Sequence, residues 1–307
     1  MITTRTLLAT SLLLSTTLAL RAQPEPPPAP GQIGLSLSST ATASGKAELK
    51  AGANTYDHVE IKNYDWKLAQ RIPLEDRRSL AVGLDYGVTA IGTRNRHHAT
   101  ATPVPLPSDL QSLGASLRYT HPLDPQWILT GSVSAGSHVA ETGLLSDGWG
   151  AGASVIALYN QSRELTLVFG VVYNSLSENF KVIPIFGLNW RPADKWSVNL
   201  GLPKTGVTYK LNEKISLDLS VSGERGSYAV NDDPLPGAAP RSLADSRLQY
   251  LEARLGFSCD WKINDTFRVS GTAGQVLYRQ FKYIDRDYTL TSRDLVPFVT
   301  LSARISL

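Results

Sequence analysis

Apolar and polar residues alternate with a period of two along most of this chain. Ile215, Leu217, Leu219 and Val221 alternate with Ser216, Asp218, Ser220 and Ser222. Val299, Leu301, Ala303, Ile305 and Leu307 alternate with Thr300, Ser302, Arg304 and Ser306, and Leu80, Val82, Leu84, Tyr86 and Val88 with Ala81, Gly83, Asp85, Gly87 and Thr89. Successive side chains of a strand point to opposite faces, so each run predicts a strand with one apolar and one polar face. Comparable runs cover 112–119, 127–135, 165–173, 182–190, 196–202, 248–261 and 267–277.

Six short polar turns separate the runs, at 73–78, 121–125, 160–163, 191–195, 212–214 and 262–266. The connectors between them, 93–109, 134–146, 174–179, 223–246 and 282–294, are longer and less regular, and only 203–206 is tight. Short turns at one end and long loops at the other are the layout of a transmembrane barrel, with the turns periplasmic and the loops extracellular. A soluble antiparallel sandwich also alternates. Three features weigh against it. The polar face carries Gly, Ser, Thr and single charges, which suits a wet interior. Trp127, Trp190, Trp196 and Trp261 sit beside the short turns, with Trp66 a few residues before another, as a membrane-interface girdle requires. The sequence also ends on an alternating strand, where Ile305 and Leu307 resemble a C-terminal assembly signal, Leu307 standing where Phe is frequent.

The six turns join twelve strands. One more runs from 282–294 to Leu307 and another comes from 33–54, giving the even number that bacterial barrels require. Twelve remain if the Gly- and Ala-rich N-terminal region, or the short strands around Pro203, pair otherwise. The expected fold is therefore all-β, a closed antiparallel transmembrane β-barrel of 12–14 strands over residues 33–307.

Residues 1–22 read as an export signal, with Arg5 in a positive start, an apolar stretch from Leu7 to Leu20, and a cleavage site after Ala22. The stretch is shorter than the roughly 20 residues of a membrane-spanning helix, which argues against an anchor. Residues 23–32 are a Pro-rich, extended periplasmic leader. Arg5 and Arg21 are the only charges in the signal, so 28 basic and 27 acidic side chains remain of the original 30 and 27. That balance gives no basic footprint for nucleic acid. Cys259 is the only cysteine, and its place in line with Leu255, Phe257 and Trp261 reads as a small apolar filler.

The middle of the chain carries a family resemblance. Phe186-Gly187-Leu188-Asn189-Trp190-Arg191-Pro192, Trp196, Leu200-Gly201-Leu202-Pro203 and Val207-Thr208-Tyr209-Lys210-Leu211 resemble an uncharacterised family of outer-membrane barrels, the domain of unknown function numbered 6268. The resemblance implies the barrel fold and no activity.

Catalytic and metal motifs are weak. Barrel-borne lipid hydrolases need a Ser and a His on the outer wall with a group that orients the His. His58, His97, His98, His121 and His138 show no such spacing. His97-His98 lacks flanking ligands for a metal, and Asn231-Asp232-Asp233 lacks the ligand spacing of a helix-loop-helix calcium site. No cofactor is expected. Alternation places Arg118, Asp218, Arg254, Arg268 and Arg304 on interior faces, where they either set ion selectivity or cross-link the wall. The function expected is passive passage of small hydrophilic solutes or anions across a bacterial outer membrane, with 223–246 as a constriction. The alternatives are a non-conducting structural or surface-contact barrel and, behind it, an outer-membrane lipid hydrolase. The partners expected are outer-membrane lipids and, during insertion, the barrel-assembly machinery.

Overall fold

The computed structural model describes residues 34–93, 103–141, 143–144, 146–177, 181–201, 204–237 and 239–307. The signal, the Pro-rich leader, His97 and His98 lie outside these residues. Among the described residues fifteen strand segments form one sheet, antiparallel between sequence neighbours: β1 (Gly34–Ala51), β2 (Asn54–Pro73), β3 (Ser79–Gly92), β4 (Asp109–Pro122), β5 (Trp127–Ala140), β6 (Trp149–Asn160), β7 (Leu165–Asn174), β8 (Val182–Ala193), β9 (Trp196–Gly201), β10 (Lys204–Lys210), β11 (Ile215–Val230), β12 (Ser246–Lys262), β13 (Phe267–Tyr283), β14 (Tyr288–Ser292) and β15 (Val296–Ser306). β14 and β15 are the two halves of one strand. β14 pairs with the upper end of β13 and β15 with the lower end, so the barrel has fourteen strands.

Neighbours in sequence are neighbours in the sheet, and β1 pairs with β15 to close the ring. Closure leaves no strand edge unpaired in hydrocarbon. Leu35 and Leu307 seal the seam at its lower end, each backbone N–H donating to the other's carbonyl at 2.9 and 2.7 Å. The short turns carry their own locks. Asn264 Oδ1 accepts from the Thr266 and Phe267 amides, Asn212 Oδ1 from Lys214 and Ile215, and Asp124 Oδ1 from Gln126 and Trp127. An Asn or Asp that satisfies the amides two and three residues on fixes a tight reversal, which is why these polar triplets read as turns.

The outer wall is apolar over the lower part of every strand. Leu37, Leu68, Leu84, Val133, Val155, Phe186, Leu219, Phe257 and Leu301 all stand exposed. About 9–11 residues of tilted strand cross the hydrocarbon, yet β1 has 18 residues and β2 has 20. Above the crossing the pattern inverts. On β1 a bulge between Ser44 and Ala47 shifts the parity, after which Ala47, Leu49 and Ala51 point inward and Lys46 and Lys50 outward. On β2, Tyr64, Trp66 and Leu68 face the membrane, whereas Tyr56, Val59 and Ile61 are buried inside. The upper strands therefore form an ordinary water-facing barrel with an apolar core.

That core departs from the expected loops. β5 continues to Ala140 and β11 to Val230, so two segments expected as irregular are strand. The β1–β2 connection at Gly52-Ala53 is a second tight one, with Gly52 in the left-handed region at φ 59°. β9 and β10, with 6 and 7 residues, are the shortest staves. β11 outgrows them, leans over the lumen and pairs in parallel with β5 through Ala229 and Val139. The result is a narrower ring of nine strands, β1–β5 and β11–β14, above the ends of β6–β10.

Candidate functional site: the lumen and its outer plug

The inner wall of the lower barrel is built from small hydroxylated residues that satisfy each other across strands. Thr40 meets Ser302 at 2.9 Å, Thr42 meets Thr300 at 2.8 Å, Ser132 meets Ser154 at 2.7 Å and Ser258 meets Thr272 at 2.8 Å. These pairs keep most of their hydrogen-bonding capacity for water, so the lower lumen is wettable.

Above it lies an ionic layer. Arg279 and Glu252 are both fully buried and paired at 2.6 Å. Arg279 also donates to Ser44 Oγ at 2.7 Å, and Tyr250 donates its hydroxyl to Glu252 at 2.6 Å. Arg254 pairs with Glu224 at 2.9 Å and with Glu252, and Asn63 donates to Glu224 at 3.3 Å. Two arginines thus meet two glutamates. Arg254 also lies 5.5 Å from the ring of Phe298, whose edge packs over Gly256, the residue that faces Gly274 across the strands. A side chain at Gly274 would clash with the Leu255 backbone.

Over that layer the lumen is filled. Leu49, Tyr56, Val59, Ile61, Ile91, Leu110, Leu248, Phe281 and Leu290 from the strands pack with Val104 and Leu106 from 103–108 and Leu243 from 231–245. Tyr283 donates its hydroxyl to the Pro105 carbonyl at 2.9 Å. Arg286 holds the longer loop by donating to the carbonyls of Ser242 and Ala244 at 2.8 and 2.6 Å. Within the 223–246 segment expected as a constriction, the stiff Pro234-Leu235-Pro236-Gly237 run stays at the periphery, with Pro236 and Gly237 exposed. Leu243 enters the core in its place because Asp233, which accepts its amide at 3.1 Å, folds the loop back.

The interior charges are placed as follows. Asp218 pairs with Lys204 at 2.7 Å and accepts from Thr208 and Ser220. Arg268 faces Asp260 at 3.5 Å. Arg304 lies opposite Arg268 in register and Ser38 on its other side. Arg118 stands opposite Ala81 and Ser132, away from the other four. Glu224 and Glu252 were missed. Glu224 fell in a segment expected as loop, and Glu252 shares the parity of Arg254 two residues on.

Of the tryptophans, Trp190, Trp196 and Trp261 are exposed at the turn end, Trp127 packs on Tyr159 and Trp196 on Tyr209, both at 4.7 Å. Trp66 stands higher, stacked between Tyr64 and Tyr86. The sixth, Trp149, starts β6 on the opposite rim and is exposed. Cys259 is exposed on the outer wall. His138 is buried near Tyr228, and His58 adopts a positive φ at the β1–β2 irregularity. Among the described residues no three His, Cys, Asp or Glu side chains gather as a metal site.

An apolar belt, a sealed ring and a polar lower interior define a transmembrane β-barrel. Within that class, the chain matches the model of the domain of unknown function DUF6268 over residues 51–291 and belongs to that family. No curated protein is similar to it. Solved structures of similar shape include the COG4313 outer-membrane channel from Pseudomonas putida F1, with 11% identity, a TM-score of 0.49, and 93% of this chain and 99% of that one covered. The Pseudomonas putida toluene transporter TodX has 12% identity and a TM-score of 0.41 over 91% and 90%. The translocator domain of the autotransporter NalP from Neisseria meningitidis has 12% identity and a TM-score of 0.39 over 90% and 88%.

Proposed function

We propose that this barrel is a passive solute channel of a bacterial outer membrane, open to the periplasm and closed at rest on the outer side. The observation that carries the reading is the apolar core centred on Leu243, Phe281 and Tyr283, which fills the narrowed ring above a wettable lower lumen. A lower interior of Ser, Thr and single charges, wettable rather than packed, suits the passage of water-soluble solutes. A permanently open pore has no use for a dry core across its mouth. Passage of small water-soluble solutes then requires the top of β11 and its loop to swing away from β5.

The test is single-channel recording in a planar bilayer, comparing the natural protein with Leu243→Asp. A buried, unpaired carboxylate costs several kcal/mol, enough to displace the loop while leaving the lower barrel intact. The natural protein should be closed for most of the record, and the variant should open in discrete steps. Large steady current from the natural protein contradicts a closed resting state. Silence from a variant that still folds, by heat-modifiable migration, supports the structural barrel instead.

A further inference from the structure

Three adjacent strands break the rule that polar residues face the lumen. On β6, β7 and β8 the inward positions hold Ile156, Leu158, Val168, Val172, Ile183 and Ile185. Their outward neighbours Val155, Phe169 and Phe186 are exposed on the lipid side, so these strands are apolar on both faces. The register gathers the six into one patch. Leu158 lies opposite Val168, Gly170 lies between Ile156 and Ile185, and Val172 lies opposite Ile183. Val172 and Ile185 are buried as its floor, while the other four keep part of their surface exposed. Elsewhere the lower inner wall is mostly Ser, Thr and Gly with single polar or charged side chains such as Asn189, Asp218 and Arg118. Apolar surface facing water is unfavourable, and barrel stability demands it only on the lipid side.

A cation lies two strands from this patch, on β4. Across the strands the row runs Arg118, Ser132, Ser154, Val172, Ile183. Strands lie about 4.8 Å apart, so the Arg118 backbone is about 10 Å from Ser154, within reach of an extended arginine and one small molecule between them. Arg254, Arg268 and Arg279 each face a carboxylate. Arg118 has no ion pair or hydrogen bond among the described residues, and it is half-buried. In register, the hydrogen-bonded Ser132–Ser154 pair lies between Arg118 and Val172 of the patch.

We propose that this corner of the lumen binds a small amphiphile with one anionic group, its alkyl or aryl body on the β6–β8 patch and its carboxylate on Arg118. The proposal rests on the reading that solutes enter the lumen from the periplasmic side, and it names their class. The charge argues for an anion, since a partly buried guanidinium without a counter-charge gains most from a bidentate carboxylate. The patch argues that the rest of the ligand is apolar. An inorganic anion would satisfy only the charge, and a neutral sugar neither.

Equilibrium dialysis of labelled octanoate against the protein in nanodiscs tests this, with empty nanodiscs measuring uptake by lipid alone and octanamide as the uncharged control. The expected result is saturable binding of octanoate above the lipid background. Arg118→Gln should weaken octanoate by roughly tenfold and leave octanamide unchanged. Ile156→Thr should weaken both. No saturable excess over empty nanodiscs for folded protein, or an octanoate affinity indifferent to Arg118→Gln, overturns the proposal. Heat-modifiable migration reports folding of each variant. Binding is read without current, so failure here leaves the closed-channel reading standing, and a freely conducting natural protein would sink that reading without touching this one.

Discussion

Ala229 of β11 lies opposite Val139 of β5 in a parallel pairing that joins two strands with five others between them in the barrel order. Both strands outgrow their neighbours there, since β6 begins opposite Ser137 and β10 ends its pairing opposite Ser222. The free top of β11 finds its hydrogen-bonding partner across the lumen, because a long strand beside a short one leaves backbone groups unpaired. The bridge narrows the ring and brings Val230 and Tyr228 onto the core.

The ionic layer beneath that core should behave as a unit. Glu252 serves Arg279, Arg254 and Tyr250 at once. Glu252→Ala leaves the buried Arg279 without its carboxylate and Arg254 with Glu224 alone, at a cost of about 3–5 kcal/mol. Proteolysis of the outer half should detect the loss, with new cleavage in 231–245 while the membrane-embedded half stays protected. In a cycle with Arg279→Ala, the double variant should be much less impaired than the sum of the singles.

Alkaline pH should loosen the same end. Burial, aided by Asp233, pushes the Tyr283 phenol far above its ordinary value of 10.0, and the hydroxyl donates to Pro105. The group is neutral when protonated, so its folded-state shift upward stabilises the cap fully below pH 10 and the contribution fades as pH rises towards the folded value. Tyrosinate absorbance should show Tyr283 ionising only together with opening of the cap. Tyr283→Phe removes the linked titration and forfeits about 1 kcal/mol of hydrogen bonding.

Cys259 reports the lipid face. It shares the outer wall with Phe257 and Trp261 and is exposed there. A nitroxide on this single thiol should relax through oxygen dissolved in the bilayer far more than through a water-soluble nickel chelate. The opposite ranking would place β12 the wrong way round and invert every inward assignment above.

The lower barrel was legible in the sequence and the upper barrel was not, for one physical reason. Where the wall touches lipid, Leu217, Leu219 and Val221 alternate against Ser and Asp without interruption, and turns such as Asn212-Glu213-Lys214 end the strand where expected. Above the membrane the strands face water outside and a core inside. There a bulge at 45–46 shifts the phase of β1, and Gly223–Val230 carries Glu, Arg and Gly that read as loop. The core then draws on Val104, Leu106 and Leu243, isolated apolar residues in polar segments, whose partners lie far away in sequence. Arg254 and Asp218 could be placed by parity alone. That Arg254 is held by Glu224, and that Arg118 has no such partner, depends on which strands meet across the ring.

The most direct measurement of the closed outer end is a cross-link between β11 and β5. Ala229→Cys and Val139→Cys are introduced together in a Cys259→Ser background, and the refolded barrel is oxidised mildly in the bilayer. Residues opposite each other in adjacent strands are within disulfide range. The account predicts rapid, near-complete bridging, and a bridged barrel that Leu243→Asp can no longer open until reductant is added. Free thiols that both react with maleimide yet fail to join, in a barrel that still migrates as folded, would contradict it.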